Sequence, residues 1–289
     1  MTVKLGRLLK AMAGIAAPIV LTAADSPPKD GNDTYTFPDG EQYAGGFHDG
    51  KFNGHGTLTS PNGGKYDGAF RDGKYNGQGR YIYPNGEQYT GEFRDGDRNG
   101  LGTFTYPTGA KYVGEFREDK RNGHGIYIYP DGRKYDGTFV NGQYEGKGTF
   151  TYIGDEQYTG EWHNGLPNGQ GTYTSPKGEK YEGGWEDGKR DGTGTAVYPT
   201  GEQYIGQWRA GKRSGEGTVT YPTGDKYVGS LLDDRFSGQG TYTFANGAKY
   251  AGEFRDGKYN GTGTIYLADG KPDKSGTWAN GTFTGASPK

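Results

Sequence analysis

The sequence has no cysteine in its 289 residues. That excludes disulfides, a thiol nucleophile, Cys-ligated zinc and lipid attachment at sulfur, so the compartment has to be argued from other features. Hydrophobic residues are also scarce. All the hydrophobic types together make up 30%, against roughly 45–50% in an average globular chain, too little for the thick aliphatic core of an α/β fold. Neither sign of charge is in excess: 33 Lys+Arg against 35 Asp+Glu leave a net charge of −2. Nothing therefore steers the chain to a polyanion, and no nucleic-acid partner is expected. The 14 prolines are few, and glycine does not recur every third residue, which excludes collagen. The complete G-x-x-x-x-G-K-[ST], H-E-x-x-H and G-x-S-x-G signatures are absent.

Glycine and aromatic residues are abundant. There are 58 Gly, 25 Tyr, 13 Phe and 4 Trp. Glycine inside a helix is about 1 kcal/mol less favourable than alanine, so an all-β fold is expected.

Residues 1–24 carry Lys4, Arg7 and Lys10 and no acid, then an apolar run from Ala11 to Ala24. The run is short for a bilayer span, which needs about 20 residues. With small residues at Thr22-Ala23-Ala24, it has the parts of an export signal cleaved after Ala24. An uncleaved membrane anchor is the alternative; a mitochondrial presequence fits less well, since Arg7 is the one Arg and no Ser precedes residue 26. Cleavage would remove three positive charges and take the net charge from −2 to −5. Residues 25–33 read as a polar spacer, and 286–289 as a tail.

The remainder is one repeat. Tyrosines recur every 23 residues at 43, 66, 89, 112, 135, 158, 181, 204, 227 and 250. Counting from each anchor Tyr, glycine always follows at two, eleven and thirteen residues, and mostly at seven and at three before the next anchor. The glycine is positional, not low-complexity.

Each unit reads as a hairpin. In residues 66–88, KYDGAFRDG alternates with Tyr66, Gly68 and Phe70 on one face. DGKYNG is expected to form the turn. GQGRYIYPNG then alternates with Gly79, Tyr81 and Tyr83 on the same face, and Pro84-Asn85-Gly86 closes the unit. Glycines on the aromatic face leave room for rings to lie against the backbone. The other face is Thr and mixed charge, with Glu three after the anchor (Glu92, Glu115, Glu161, Glu253) and Arg five after it (Arg71, Arg94, Arg117, Arg209, Arg255), which reads as a solvated surface. Ten hairpins stacked at about 4.7–4.9 Å per strand would make a single twisted antiparallel sheet about 95 Å long. Half-units at Thr34–Gly40 and, after a one-residue slip, Gly276–Gly281 would cap it.

The pattern Y-x-G-x-[FW], D-G, N-G-x-G-x-[YF]-x-Y-P-x-G at this period resembles the MORN repeat over about residues 34–285. Leu231, Ile153-Gly154-Asp155, Ala245, Ala268 and Lys274 are local departures. The resemblance implies a non-catalytic interaction segment. Such arrays occur beside lipid-kinase or methyltransferase domains, in proteins that join membranes, and as scaffolds that self-associate. Here the repeats fill almost everything after residue 33.

Two functions follow as expectations. The first is an exported scaffold for protein interaction, membrane- or envelope-associated, with self-association through array ends or sheet edges. The second is a binder of glycan, a choline-like group or a lipid headgroup along an aromatic groove. Its candidates are Tyr66, Phe70, Tyr81, Tyr83, Tyr89, Phe93, Tyr112, Phe116, Tyr158, Trp162, Tyr181, Trp185, Tyr204 and Trp208, which serve equally as core. No catalytic residue, cofactor or metal site is expected. His48, His55, His124 and His163 sit at polar repeat positions, and although His48 and His55 could meet across a hairpin, no third ligand recurs with them. Most Asp residues belong to D-G turns. The glycosylation patterns at Asn32, Asn260 and Asn280 are what this repeat spells near turns.

Overall fold

Two kinds of turn set the architecture. After each first strand, two residues reverse the chain, both with positive φ: Asp72 at 51° and Gly73 at 80°, for example. This is the type I′ geometry whose twist matches a β-ribbon. The units are joined by a tighter-cornered loop, in which Gly86 N–H donates to Tyr83 O at 2.9 Å and Gly86 itself has φ 85°. A type I turn ending in a left-handed glycine closes a three-residue hairpin loop in this way.

A computed structural model describes residues 26–286, and among them the chain forms 23 strands in one antiparallel sheet. β1 (Gly31–Thr36) pairs with β2 (Gln42–His48), which pairs with β3 (Lys51–Thr59), and every later strand pairs with its sequence neighbours through β22 (Pro272–Ala279) to β23 (Thr282–Ala286). The sheet is open, as an array of stacked hairpins requires. The export signal at 1–24 lies outside the described residues. The sheet begins at Gly31, inside the stretch expected to be a spacer, because Gly31 pairs with Phe47 just as Gly54 pairs with Phe70. The slip near the end is absorbed by a register shift between Ile265 and Tyr266, which brings Trp278 opposite Gly261.

Each hairpin carries a bulge. Gly45 faces Gly56, but the next pair is Phe47 with Phe52, so one residue on β2 faces three on β3. The glycine eleven after the anchor accommodates the extra chain with positive φ in all ten units, from 61° at Gly261 to 101° at Gly215. The bulge frees the carbonyl three after the anchor, and the anchor hydroxyl donates to it in every unit at 2.7–3.0 Å. Side chains satisfy a second freed group. Glu115 accepts from His124 N at 3.0 Å, Gln207 from Glu216 N at 3.1 Å and Glu253 from Thr262 N at 3.0 Å. The outward Glu row, read from sequence as a solvated surface, thus fastens the bulge.

The anchor rings lie flat along this bent backbone. All ten are between 0 and 1% exposed. A Cβ at Gly79 would sit 2.4 Å from the Tyr66 hydroxyl and 2.6 Å from its ring, and the equivalent glycines are as tightly covered. Except where Leu231 takes the place of the second aromatic, each ring packs edge-to-face on the aromatic four residues later and on that of the next unit, as Tyr66 does with Phe70 at 5.0 Å and Phe93 at 5.1 Å. The core therefore runs along the sheet with this file of rings at its centre, and Trp185 packs against both of its halves.

Candidate interaction face

The fourteen aromatic residues expected on the inner face divide by burial. Tyr66, Phe70, Tyr89, Phe93, Tyr112, Phe116, Tyr158, Trp162, Tyr181, Tyr204 and Trp208 are buried, whereas Tyr81, Tyr83 and Trp185 are half-buried. The buried rings are sealed against one another and cannot also stack on a ligand. Trp185 packs edge-to-face on Tyr158 and Tyr181, whereas Tyr81 and Tyr83 belong to a separate row on the inner face. Tyr81, Tyr83, Phe104, Tyr106, Tyr127, Tyr129, Phe150 and Tyr152 follow one another with centroids 4.3–6.2 Å apart.

The expected DGKYNG turn is corrected by the structure. Only Asp72 and Gly73 turn, and the following strand starts at Lys74. The residue nine after the anchor therefore points inward, as a fifth core position. Phe52, Tyr75, Tyr144, Phe236 and Tyr259 stack on their own anchor rings at 3.7–3.9 Å, within 18° of parallel. Pro167 is buried at the same position, opposite Trp162.

In the other four units this position is arginine. The guanidinium carbons of Arg98, Arg121, Arg190 and Arg213 lie 5.8, 5.8, 4.8 and 5.6 Å from the centres of their anchor rings. A cation over a ring face replaces ring stacking, but half-burial of the charge calls for an acid. Two repeat positions supply one. The first lies two residues before the anchor: Glu179 meets Arg190 at 2.6 Å and Glu202 meets Arg213 at 2.7 Å. The second is the turn of the next hairpin, where Asp119 meets Arg98 at 3.0 Å and Asp234 meets Arg213 at 3.2 Å. Asp119 and Asp234 are the two residues that replace the turn glycine, at φ 64° and 69°. Their backbone strain accompanies these ion pairs.

Adjacent turns are tied together. The N–H seven after each anchor donates to the carbonyl nine after the previous one, from Gly50 to Lys29 through Gly281 to Tyr259, at 2.8–3.1 Å. Carboxylates reinforce this edge: Asp30 accepts from Asp49 N at 3.2 Å, and Glu145 from Asn164 N at 3.1 Å. These bonds hold both carboxyls below their usual range, for Asp30 chiefly through Asp49 N–H and for Glu145 chiefly through His163. His48 and His55 have separate partners, Asp30 at 3.1 Å and Asp67 at 3.6 Å. Among the described residues no cluster of three potential metal ligands occurs, and no helix is long and apolar enough to cross a membrane.

The chemistry of the face is thus aromatic and cationic within, hydroxyl and mixed-charge without. Burial pushes the hydroxyls of Tyr43, Tyr181, Tyr204 and Tyr250 up to about 12, so they remain neutral donors to the bulge. The inward residue nine after the anchor was legible as a recurrent aromatic or arginine, but the adjacent glycines made its segment look like turn.

Among solved structures, the TCP10 domain of Danio rerio CPAP in complex with a peptide of Danio rerio STIL is 12% identical, with 86% of this chain and 100% of that one covered and a TM-score of 0.39. The SAS-4 (dCPAP) TCP domain of Drosophila melanogaster in complex with a proline-rich motif of Ana2 is 15% identical, with 68% and 99% covered and a TM-score of 0.36. At such scores neither likeness bears on what this chain does. No curated protein matches the sequence. The MORN-repeat family model matches ten successive segments, 43–65, 66–88, 89–111, 112–132, 135–154, 158–180, 181–203, 204–226, 227–249 and 250–271. With these ten units in one register along a continuous sheet, the chain belongs to the MORN-repeat family, as a repeat scaffold or interaction module.

Proposed function

We propose that the chain is a non-enzymatic, exported scaffold that holds partner proteins, associated with the membrane or cell envelope. The observation that carries this reading is how the reactive side chains are spent. The aromatic rings form the core, and many of the carboxylates bond turns, bulges and arginines. What these leave outward is a long, regular surface of Thr, Lys, Gln and Glu, suited to extended protein contact. Export is supported by the sequence of residues 1–24.

Cell fractionation with the intact mass of the N-terminus tests the compartment. A chain beginning at Asp25 in the envelope fraction is expected; a cytoplasmic protein retaining Met1 overturns export. The scaffold reading fails if the mature chain stays monomeric at high concentration and captures no envelope protein. The half-buried tyrosines of the row containing Tyr83 favour a second reading, a flat-faced ligand such as a glycan or a lipid headgroup. Binding to a glycan array or vesicles should then drop in Tyr83→Ser, a substitution the repeat already carries at Ser60 and Ser175. Equal signal from both proteins removes that reading.

A further inference from the structure

Arg121 differs from the three other arginines that cover an anchor ring. Arg98, Arg190 and Arg213 each meet at least one carboxylate of the chain. For Arg121 the two positions that supply it elsewhere are Ala110 and Gly142. Among the described residues Arg121 forms no ion pair; it donates to the Gly142 carbonyl at 3.1 Å and meets the Tyr127 hydroxyl. The guanidinium is half-buried, 5.8 Å from the centre of Tyr112, 5.0 Å from Tyr127 and 5.5 Å from Phe139. Five N–H donors on a partly desolvated cation are thus left with one protein carbonyl and the Tyr127 hydroxyl, and with no carboxylate.

We propose that Arg121 is a receptor for a carboxylate presented by a partner protein, an Asp or Glu side chain or a chain terminus. The chain itself defines the ligand chemistry. Where the same arginine position is satisfied, the occupant is a carboxylate, bound at 2.6–3.2 Å, the geometry of a charge-assisted bond. The nearby aromatic row, with Tyr106 and Tyr127, gives an incoming segment rings to lie against. The proposal rests on the interaction-module reading and specifies the partner's chemistry: an acidic segment crossing the inner face at the third and fourth hairpins.

The test uses the mature chain labelled with nitrogen-15, titrated with glutarate and separately with inorganic phosphate at constant ionic strength. The Nε–H resonance of Arg121 should shift saturably with glutarate, while those of Arg98, Arg190 and Arg213 hold still. Ala110→Glu gives Arg121 the internal acid used in other units and should abolish the shift. Arg121→Tyr installs a residue found at this position in Tyr75, Tyr144 and Tyr259, so it should fold. No saturable shift, a shift that survives Ala110→Glu, a uniform response of all four arginines, or a response to phosphate alone overturns the proposal. Capture from an envelope extract separates the two readings. A partner held equally by wild type and Arg121→Tyr keeps the scaffold and removes the Arg121 site. Glutarate binding by a chain that stays monomeric at high concentration and captures no partner keeps the site and removes the scaffold.

Discussion

The anchor tyrosine does two jobs at once. Its ring fills the space left by two glycines, and its hydroxyl satisfies the carbonyl that the bulge exposes, as Tyr66 does with Ala69 at 2.9 Å. Phenylalanine would keep the packing and orphan the carbonyl, which explains why every anchor is Tyr, whereas the position four later accepts Phe, Trp or Leu. The tryptophans there show the same bookkeeping of donors. Trp162, Trp185 and Trp278 donate to the carbonyl of a ring-seat glycine at 3.0–3.2 Å, but the buried Trp208 Nε1 has no partner. Trp162→Phe should therefore cost about 1 kcal/mol more in a denaturant titration than Trp208→Phe, the usual net worth of one hydrogen bond. Equal losses would mean that the indole bond contributes nothing.

At the scale of the hairpin, the consequential pairing is between one unit's arginine and the next unit's turn. Asp119 breaks the D-G pattern and holds a left-handed backbone that glycine adopts more readily, yet it binds both the side chain and the backbone N–H of Arg98 at 2.9–3.0 Å. Asp119→Gly alone should destabilise the array, because it strands a half-buried cation. In an Arg98→Tyr background the same change should be neutral or stabilising by up to about 1 kcal/mol, as strain is relieved without loss of a pair. A double-mutant cycle by thermal unfolding with no coupling between the two positions would contradict this. Hairpin order, turn positions and the ring-seat glycines were legible in the sequence because the 23-residue register repeats without insertion. The bulge was not. Its left-handed glycine resembles the neighbouring turn glycines, and it shifts the alternation, so Tyr75 and Arg98 seemed to lie in a loop and Glu115 and Glu253 on an idle surface. For the interaction face, sequence supplied the aromatic rows but not their burial, since only the packing of consecutive units decides that Tyr66 is sealed and Tyr83 half-open.

Across the whole molecule, the ten anchors titrate in one direction. Burial raises every anchor hydroxyl, with Tyr43, Tyr181, Tyr204 and Tyr250 reaching about 12 and the others higher. An unfolded tyrosine loses its proton near pH 10. The unfolded chain therefore binds fewer protons than the folded one above that pH, and stability present below pH 10 is lost as pH rises toward 12. Urea midpoints should be flat with respect to these groups up to about pH 9.5 and fall steeply beyond. A flat profile to pH 12 would place the hydroxyls in solvent. The account depends most on the claim that rings seated on glycine are the core this ribbon folds around. Chemical unfolding of two alanine variants tests it directly. Gly50→Ala meets nothing within 4 Å and bears only the strain of a left-handed residue at φ 71°, about 1–2 kcal/mol. Gly79→Ala would drive a methyl to within 2.4 Å of the Tyr66 hydroxyl and is predicted to cost about 3 kcal/mol or more. If Gly79→Ala is no more destabilising than Gly50→Ala, the rings are not seated on the glycines and the account is wrong.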